Sequence, residues 1–296
     1  MNKKYKYGTL AVVVIAFLSI AVWYLHRHYI AVLQPRGTIG HQERNLIIVG
    51  LLLAALVVIP VYAMTIGIAW KYRAGNIKAR YSPDWDHNRV IEFTWWAIPG
   101  VIILIFSIIT WNSAHALDPF KPLDSKKKPL NIQVVSLDWK WLFIYPDKDV
   151  ASVNLLEVPV NVPLNFELTS DSVMNSFWVP ALGGQIYTMP GMSTQVHLMA
   201  TQAGSYAGSS ANISGQGFAG MAFTAKAVNP SQFNEWLGQR QRSPDQLNLA
   251  AYNSLAKPSQ NNPVTYYSRV QNGLYDDIIM KYMAPGSNGM AGMHGE

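Results

Sequence analysis

The residue best placed to do chemistry is a carboxylate at the edge of an apolar run. Glu92, in Arg89-Val90-Ile91-Glu92, comes directly before the apolar segment Phe93–Trp111. A carboxylate beside hydrocarbon is costly unless it functions or is paired. Glu92 therefore reads as a proton-handling group at the mouth of a membrane span, or as an interfacial acid paired with Arg89 or another nearby base. The seven histidines, His26, His28, His41, His87, His115, His197 and His294, are scattered and give no ligand pair at helical spacing. His197, between Val196 and Leu198, is expected to face solvent. The chain has no cysteine, which excludes disulfides and thiolate metal sites. Met221, alone on an apolar stretch, reads as core packing. Met290, Met293 and His294 fall in a Gly-rich tail, where mobility is the expectation rather than copper binding. There is no Ser-His-Asp logic, no phosphate-cradling Gly loop and no pair of carboxylates that hydrolysis would need.

Of 296 residues, 50% are hydrophobic and 14% charged, with 10 Trp and 15 Tyr, which makes a membrane protein the first class to test. Gly8–Leu25, Leu46–Trp70 and Phe93–Trp111 are apolar over the roughly 20 residues that a helix needs to cross hydrocarbon. The first follows a Lys-rich start and reads as an uncleaved anchor or a secretory signal; Trp23-Tyr24-Leu25-His26-Arg27-His28 offers no small-residue cleavage pattern. Trp70, Trp95, Trp96 and Trp111 suit the headgroup belt, and Pro60 and Pro99 are tolerated inside the spans.

Net charge is +6, but the basic residues flank apolar spans and do not interleave with aromatics on one face, so nucleic-acid binding is not expected. Lys71, Arg73, Lys78, Arg80 and Arg89 crowd one short loop, which should stay in the cytoplasm, leaving the chain after Trp111 outside. From Asn131 the pattern turns to short alternating stretches bounded by Pro, Gly and Asn, which suits a β-sandwich or Greek-key barrel. Ile132 and Val134 alternate in one phase and Val135, Leu137, Trp139 and Trp141 in the other, so a β-bulge is expected between them, with Trp139 and Trp141 on one strand face. Leu164, Phe166 and Leu168, then Val196 and Leu198, then Met221, Phe223, Ala225 and Ala227 read as further strands. After Asn229-Pro230 the chain turns helical, Asn261-Asn262-Pro263 interrupts it, and Tyr275–Met283 is amphipathic. The expected organisation is a signal or anchor over 1–30, a helical hairpin over 31–115 with cytoplasmic loop 71–91, a β domain over 126–229, and a helical extension with Gly/Met tail over 230–296.

Three stretches narrow this plan. Asp138-Trp139-Lys140-Trp141, Met174-Asn175-Ser176-Phe177-Trp178-Val179-Pro180 and Met189-Pro190-Gly191-Met192 stand in the order found in subunit II of the haem-copper oxidases, and the chain resembles that family from about Pro35 to Met283. In its cytochrome c oxidases the sandwich is cupredoxin-like and holds a two-copper centre, bridged by two thiolates and completed by histidines and a methionine, with the pattern Cys-x-Glu-x-Cys-x-x-x-His-x-x-Met. Here the approach Gly204-Ser205-Tyr206-Ala207-Gly208 survives. Ser210 stands for the first Cys, Asn212 for Glu, Ser214 for the second Cys and Phe218 for His; Met221 alone matches, and Asn175 takes the place of the upstream His.

With the copper-free loop and Gln185-Ile186-Tyr187-Thr188-Met189, the chain looks like the ubiquinol oxidase branch, cytochrome bo type. The resemblance implies two to three transmembrane helices, a cupredoxin-like sandwich without copper, and a short helical C-terminal segment. It implies a non-redox structural subunit of a proton-pumping quinol oxidase, with no cofactor in this chain and with haems and one copper in subunit I. Implied partners are subunits I, III and IV, membrane lipid, and ubiquinol bound by the complex in a bacterial inner membrane. Glu92 matches the glutamate at the mouth of the K proton channel. Trp139 and Trp141, near an electron-transfer surface in copper-bearing relatives, are expected here to serve packing. The competing readings are a cytochrome c oxidase subunit II, against which the missing thiols stand, and a membrane-tethered cupredoxin-like binding or assembly module, for which Glu92 would have no use.

Overall fold

The structure, a computed structural model, describes residues 27–80 and 87–283, together with 12–13, 15–17, 19–20 and 23–25. Part of Gly8–Leu25, part of the basic loop and the tail carrying Met290, Met293 and His294 lie outside the described residues. The chain divides into a unit of Gln42–Lys121 and a unit of Met1–His41 with Pro122–Glu296.

Two long helices build the first unit. Helix α1, Thr38–Lys71, contains Pro60, and α2, Arg89–Ala116, contains Pro99. Their 34 and 28 residues give lengths of roughly 50 and 40 Å, more than the ~30 Å of a hydrocarbon core. Both are long and apolar enough to cross a membrane, and their large side chains, among them Leu52, Ile59, Trp96 and Leu104, point into the surroundings. A water-soluble protein would bury such a surface. Asn88 starts α2 by accepting from the amides of Val90 and Ile91, each at 3.1 Å, which satisfies donors that the first turn leaves free.

The second unit is a two-sheet sandwich with helices added. In chain order its elements are β1 Leu130–Leu137, β2 Lys140–Tyr145, β3 Val150–Val153, β4 Leu155–Pro159, β5 Leu164–Ser170, β6 Asn175–Trp178, β7 Ile186–Thr188, β8 Thr194–Leu198, β9 Gly204–Ser210, β10 Ala222–Val228, α3 Pro230–Arg240, β11 Gln246–Leu247, α4 Leu249–Leu255, β12 Thr265–Val270 and α5 Leu274–Met283. One sheet runs β11-β12-β3-β2-β1-β5-β8 and the other β4-β10-β9-β6-β7. The pairs β1/β5, β4/β10 and β11/β12 are parallel and the other pairs antiparallel, so chain crossovers at the sandwich ends are required.

Strand β1 corrects the expected bulge. Its register with β2 runs unbroken from Gln133↔Ile144 to Leu137↔Lys140, and that with β5 is equally regular. The apolar phase changes because the sheet is covered on both faces. Ile132 and Val134 enter the sandwich core with Trp141, Phe143, Phe166, Phe177 and Phe223. Val135 and Leu137, with Leu142, Ile144 and Val153, enter a second core closed by Leu247, Tyr252, Leu274, Tyr275 and Ile278 of the C-terminal segment. A strand buried on both sides reads as continuous, not alternating.

Trp139 and Trp141 both pack against the sandwich core, but not from one strand. Trp141 is fully buried against Phe177 and Phe223, whereas Trp139 occupies the β1–β2 turn at φ 62°, a conformation that bulky residues adopt only when their surroundings enforce it. His197 is half-buried, on the face of β8 opposite the buried Val196 and Leu198.

The chain before α1 is fastened to the sandwich. Arg36 N donates to Ala181 O at 2.6 Å, Thr201 N to Arg36 O at 2.8 Å and Gly40 N to Leu182 O at 2.9 Å. Gly37 must be glycine there, since a Cβ would stand 2.3 Å from Leu182 O.

Candidate functional site

Strand β9 carries Ser210 to the end of its sheet. The chain then loops through Asn212 and Ser214 to the 3-10 turn Phe218–Gly220 and Met221, where β10 begins. Backbone bonds close the loop: Ser210 N to Met221 O at 3.4 Å, Phe218 N to Gly215 O at 3.1 Å, and Met221 N to Phe218 O at 3.0 Å. Side chains close it further. Ser210 Oγ accepts from Ser176 N at 3.2 Å and can donate to Asn175 Oδ1 at 3.1 Å or Asn212 O at 3.0 Å. Asn175 Nδ2 donates to Val173 O at 3.0 Å, Asn212 Nδ2 to Met174 O at 2.9 Å, and Ser214 Oγ lies 3.8 Å from Met221 Sδ.

The fold thus gathers all six positions singled out in the sequence. Asn175, Ser210, Ser214 and Met221 are buried, Asn212 binds the backbone beside Asn175, and the half-buried Phe218 contributes the turn. Trp139 covers the loop, donating from Nε1 to Ser214 O at 3.2 Å, and a Cβ on Gly217 would stand 2.3 Å from its ring. That packing accounts for the left-handed backbone at Trp139.

These residues do not fit a two-copper centre. Hydroxyl, amide, phenyl and one thioether groups are poor substitutes for bridging thiolates and imidazoles, and the hydroxyl of Ser210 and the amide of Asn175 are already engaged by protein groups. Among the described residues there is no group of three or more His, Cys, Asp or Glu able to hold a metal.

Glu92 lies in the first turn of α2. Its Oε1 accepts from Asn88 N at 3.3 Å and stands 2.5 Å from Nδ1 of His87. The neighbouring base is therefore His87, not Arg89. The Glu92 side chain is 34% exposed and that of His87 60%, so the pair is open to its surroundings.

Residues 148–228 match the family model described as cytochrome c oxidase subunit II, periplasmic domain, and residues 241–286 match the COX aromatic rich motif. The cytochrome bo(3) ubiquinol oxidase subunit 2 of Pseudomonas aeruginosa is 50% identical over 262 residues, covering 88% of this chain and 79% of the relative. The chain belongs to the cytochrome bo-type ubiquinol oxidase subunit 2 family. The ubiquinol oxidase subunit 2 of Acetobacter aceti is 47% identical over 88% of this chain and 83% of its own length, and the cytochrome bo(3) ubiquinol oxidase subunit 2 of Buchnera aphidicola (subsp. Schizaphis graminum) is 44% identical over 92% and 93%.

The match to the aromatic rich motif contains residues that hold the C-terminal segment, which sequence reasoning missed. Asp171, in the β5–β6 loop just before Asn175, has a fully buried side chain. Its Oδ2 accepts from Tyr252 OH at 2.6 Å, and its Oδ1 from Lys281 Nζ at 2.6 Å and Tyr282 OH at 2.7 Å. Burial, and then the Asp171 carboxylate, pushes the hydroxyls of Tyr252 and Tyr282 well above the usual tyrosine range.

Lys140, 1% exposed, was quoted in the sequence only as part of a motif. Its Nζ donates to Lys257 O at 2.8 Å and Ser259 Oγ at 2.5 Å, so it ties the segment after α4 to the turn that carries Trp139. Burial lowers its pKa against the opposing pull of Asp138, whose own pKa burial raises. A lysine between two tryptophans in an apolar stretch was the one available signal for Lys140. For Asp171 there was none, because its partners are more than eighty residues away in the chain.

Proposed function

We propose that this chain is the non-redox, membrane-anchored subunit II of a proton-pumping ubiquinol:oxygen oxidoreductase in an aerobic respiratory chain. The observation that carries the non-redox part is the donor set of the β9–β10 loop, where Ser210, Asn175 and Asn212 bond to one another and to backbone and offer no soft ligand. Electrons then have no route through this sandwich and must reach the oxidase from a donor within the bilayer, as the names of the bo-type relatives indicate for those proteins. Haems and one copper belong in this reading to subunit I, and the complex also includes subunits III and IV.

The proposed orientation places loop 71–91 in the cytoplasm and the sandwich in the periplasm of a bacterial inner membrane, from the Lys/Arg crowding of that loop. Glu92 then stands at the cytoplasmic mouth of α2. We assign it the uptake of protons for subunit I, with His87 at 2.5 Å as its exchange partner on the exposed side. A structural reading has an observation of its own, because Glu92 also accepts from the Asn88 amide and so helps to cap α2.

Turnover of the purified complex tests both parts. Rapid oxygen reduction with ubiquinol and none with a reduced water-soluble haem protein is expected; the reverse preference ends the non-redox reading. Glu92→Gln keeps the cap acceptor but not the titratable group, so it should slow turnover about tenfold or more if the group relays protons. Full activity in an assembled Glu92→Gln complex would leave Glu92 as a cap.

A further inference from the structure

We propose that the hairpin of α1 and α2 holds one anionic phospholipid in the leaflet on the side where α1 begins and α2 ends. The two helices leave between them a cleft of about 420 Å³, lined by Leu46 and Gly50 of α1 and by Phe106, Ile109, Thr110 and Ser113 of α2. Gly50 keeps the cleft open: a Cβ there would already touch the Phe106 ring at 3.9 Å, and any longer side chain would fill the space. Along α2 the cleft runs from Phe106 to Leu117, which at a helix rise of ~1.5 Å per residue is about 16 Å, close to half of a ~30 Å hydrocarbon core. Its depth is that of one leaflet, and its walls suit one acyl chain.

Two hydroxyls give the cleft polarity where a lipid has it. Elsewhere in these helices Thr65 and Thr94 donate to the carbonyls of Val61 and Val90 one turn back, at 2.8 and 2.7 Å. Among the described residues, Thr110 and Ser113 make no such side-chain bond, though both line the cleft and share a helix face at i, i+3. A hydroxyl facing hydrocarbon without a partner is costly, and the glycerol ester carbonyls of a phospholipid are acceptors at this depth. Beyond Ser113 the helix ends at Ala116, and a turn closed by Lys121 N to Asp118 O at 3.0 Å and Phe120 N to Asp118 Oδ1 at 2.9 Å follows. It exposes Phe120, an aromatic suited to the interface, and Lys121. Lys121 is exposed and makes no ion pair among the described residues, while the exposed Asp118 of the same turn accepts from the Phe120 amide. Charge complementarity therefore selects a phosphate-bearing, net-negative headgroup over a zwitterionic one.

Native mass spectrometry of the purified complex tests this, after exchange into nanodiscs of phosphatidylglycerol or phosphatidylcholine with the same palmitoyl-oleoyl chains. The complex should retain one phosphatidylglycerol more than a Gly50→Leu complex, whose cleft is filled. Lys121→Gln should lower the preference for phosphatidylglycerol over phosphatidylcholine roughly fivefold, the share of one lysine near a charged surface, while Thr110→Val with Ser113→Ala should weaken retention of both lipids alike. Millimolar inorganic phosphate should not displace the lipid. Equal lipid counts in the wild-type and Gly50→Leu complexes would overturn the proposal, as would a phosphatidylglycerol preference unmoved by Lys121→Gln. Loss of a partner subunit from the Gly50→Leu complex with its lipid count unchanged would also overturn it, and would mark the cleft as a protein interface.

Discussion

Two buried polar clusters sit a few residues apart in the chain and differ in charge. At Asn175 and Ser210 the partners are neutral, and every bond joins groups that ordinary loops also use. At Asp171 a fully buried carboxylate takes two tyrosine hydroxyls and a lysine ammonium from a segment more than eighty residues on. The comparison shows what each cluster can hold together. Breaking a neutral, local network leaves groups that water or backbone can satisfy nearby. Removing one side of a buried charged one leaves the other side with nothing of opposite sign. The loop that carries chemistry in copper-bearing relatives is, in this chain, the weaker structural tie, and the stronger tie lies beside it.

The largest effect expected from this difference follows Asp171→Ala, which strips the acceptor from Tyr252, Tyr282 and Lys281 together. Because the Lys281 side chain is 56% exposed, the loss should fall near the lower end for buried pairs, about 3 kcal/mol. Thermal unfolding of the assembled complex should show it. Limited proteolysis should cut within residues 241–286 while leaving β1–β10 intact. A variant as stable and as protease-resistant as the parent would break the comparison at its strong end.

Alkaline pH probes buried tyrosines of that segment and of β2 without mutation. Tyr145, Tyr252 and Tyr275 are buried, and burial raises each pKa well above the usual tyrosine value of about 10. The folded state keeps these protons after the unfolded chain has lost them. Their contribution is therefore complete below pH 10 and falls as pH rises beyond it, by about 1.4 kcal/mol per pH unit for each group. Unfolding temperature measured between pH 8 and pH 11 should stay level and then drop steeply past pH 10. A Tyr252→Phe variant should show a shallower drop. An equal slope in both would mean that Tyr252 does not keep its proton in the folded chain.

What could be read from the residues alone followed local pattern. The two spans were visible because hydrocarbon imposes one long apolar run per crossing, and β5, β8 and β10 because one buried face alternates. Strand β1 misled because both its faces are buried, by two different parts of the chain, and alternation vanishes when a second core covers the outer face. The positions Asn175, Ser210, Asn212, Ser214 and Met221 were found through a motif whose spacing survives although its ligands do not. Asp171 and His87 leave no such trace. Their significance lies in partners brought by the tertiary fold, or, for His87, in an approach to Glu92 that only the first turn of α2 creates.

The smallest effect tests the weak end of the comparison. Ser210→Ala removes one hydroxyl that accepts from Ser176 N and bonds Asn175. Asn175 keeps its bond to Val173 O, and Ser210 keeps its backbone bond to Met221 O, so the loop retains its closure. The loss should be about 1 kcal/mol, the net value of a buried neutral hydrogen bond. Because Asn175 and Ser210 share that bond, Asn175→Ala combined with Ser210→Ala should cost less than the two single changes added together. Additive costs in this cycle would mean that each side chain serves a separate partner. A single Ser210→Ala loss as large as that of Asp171→Ala would mean that the loop still bears a structural load comparable to the charged cluster, and that its neutral bonds are not interchangeable with water.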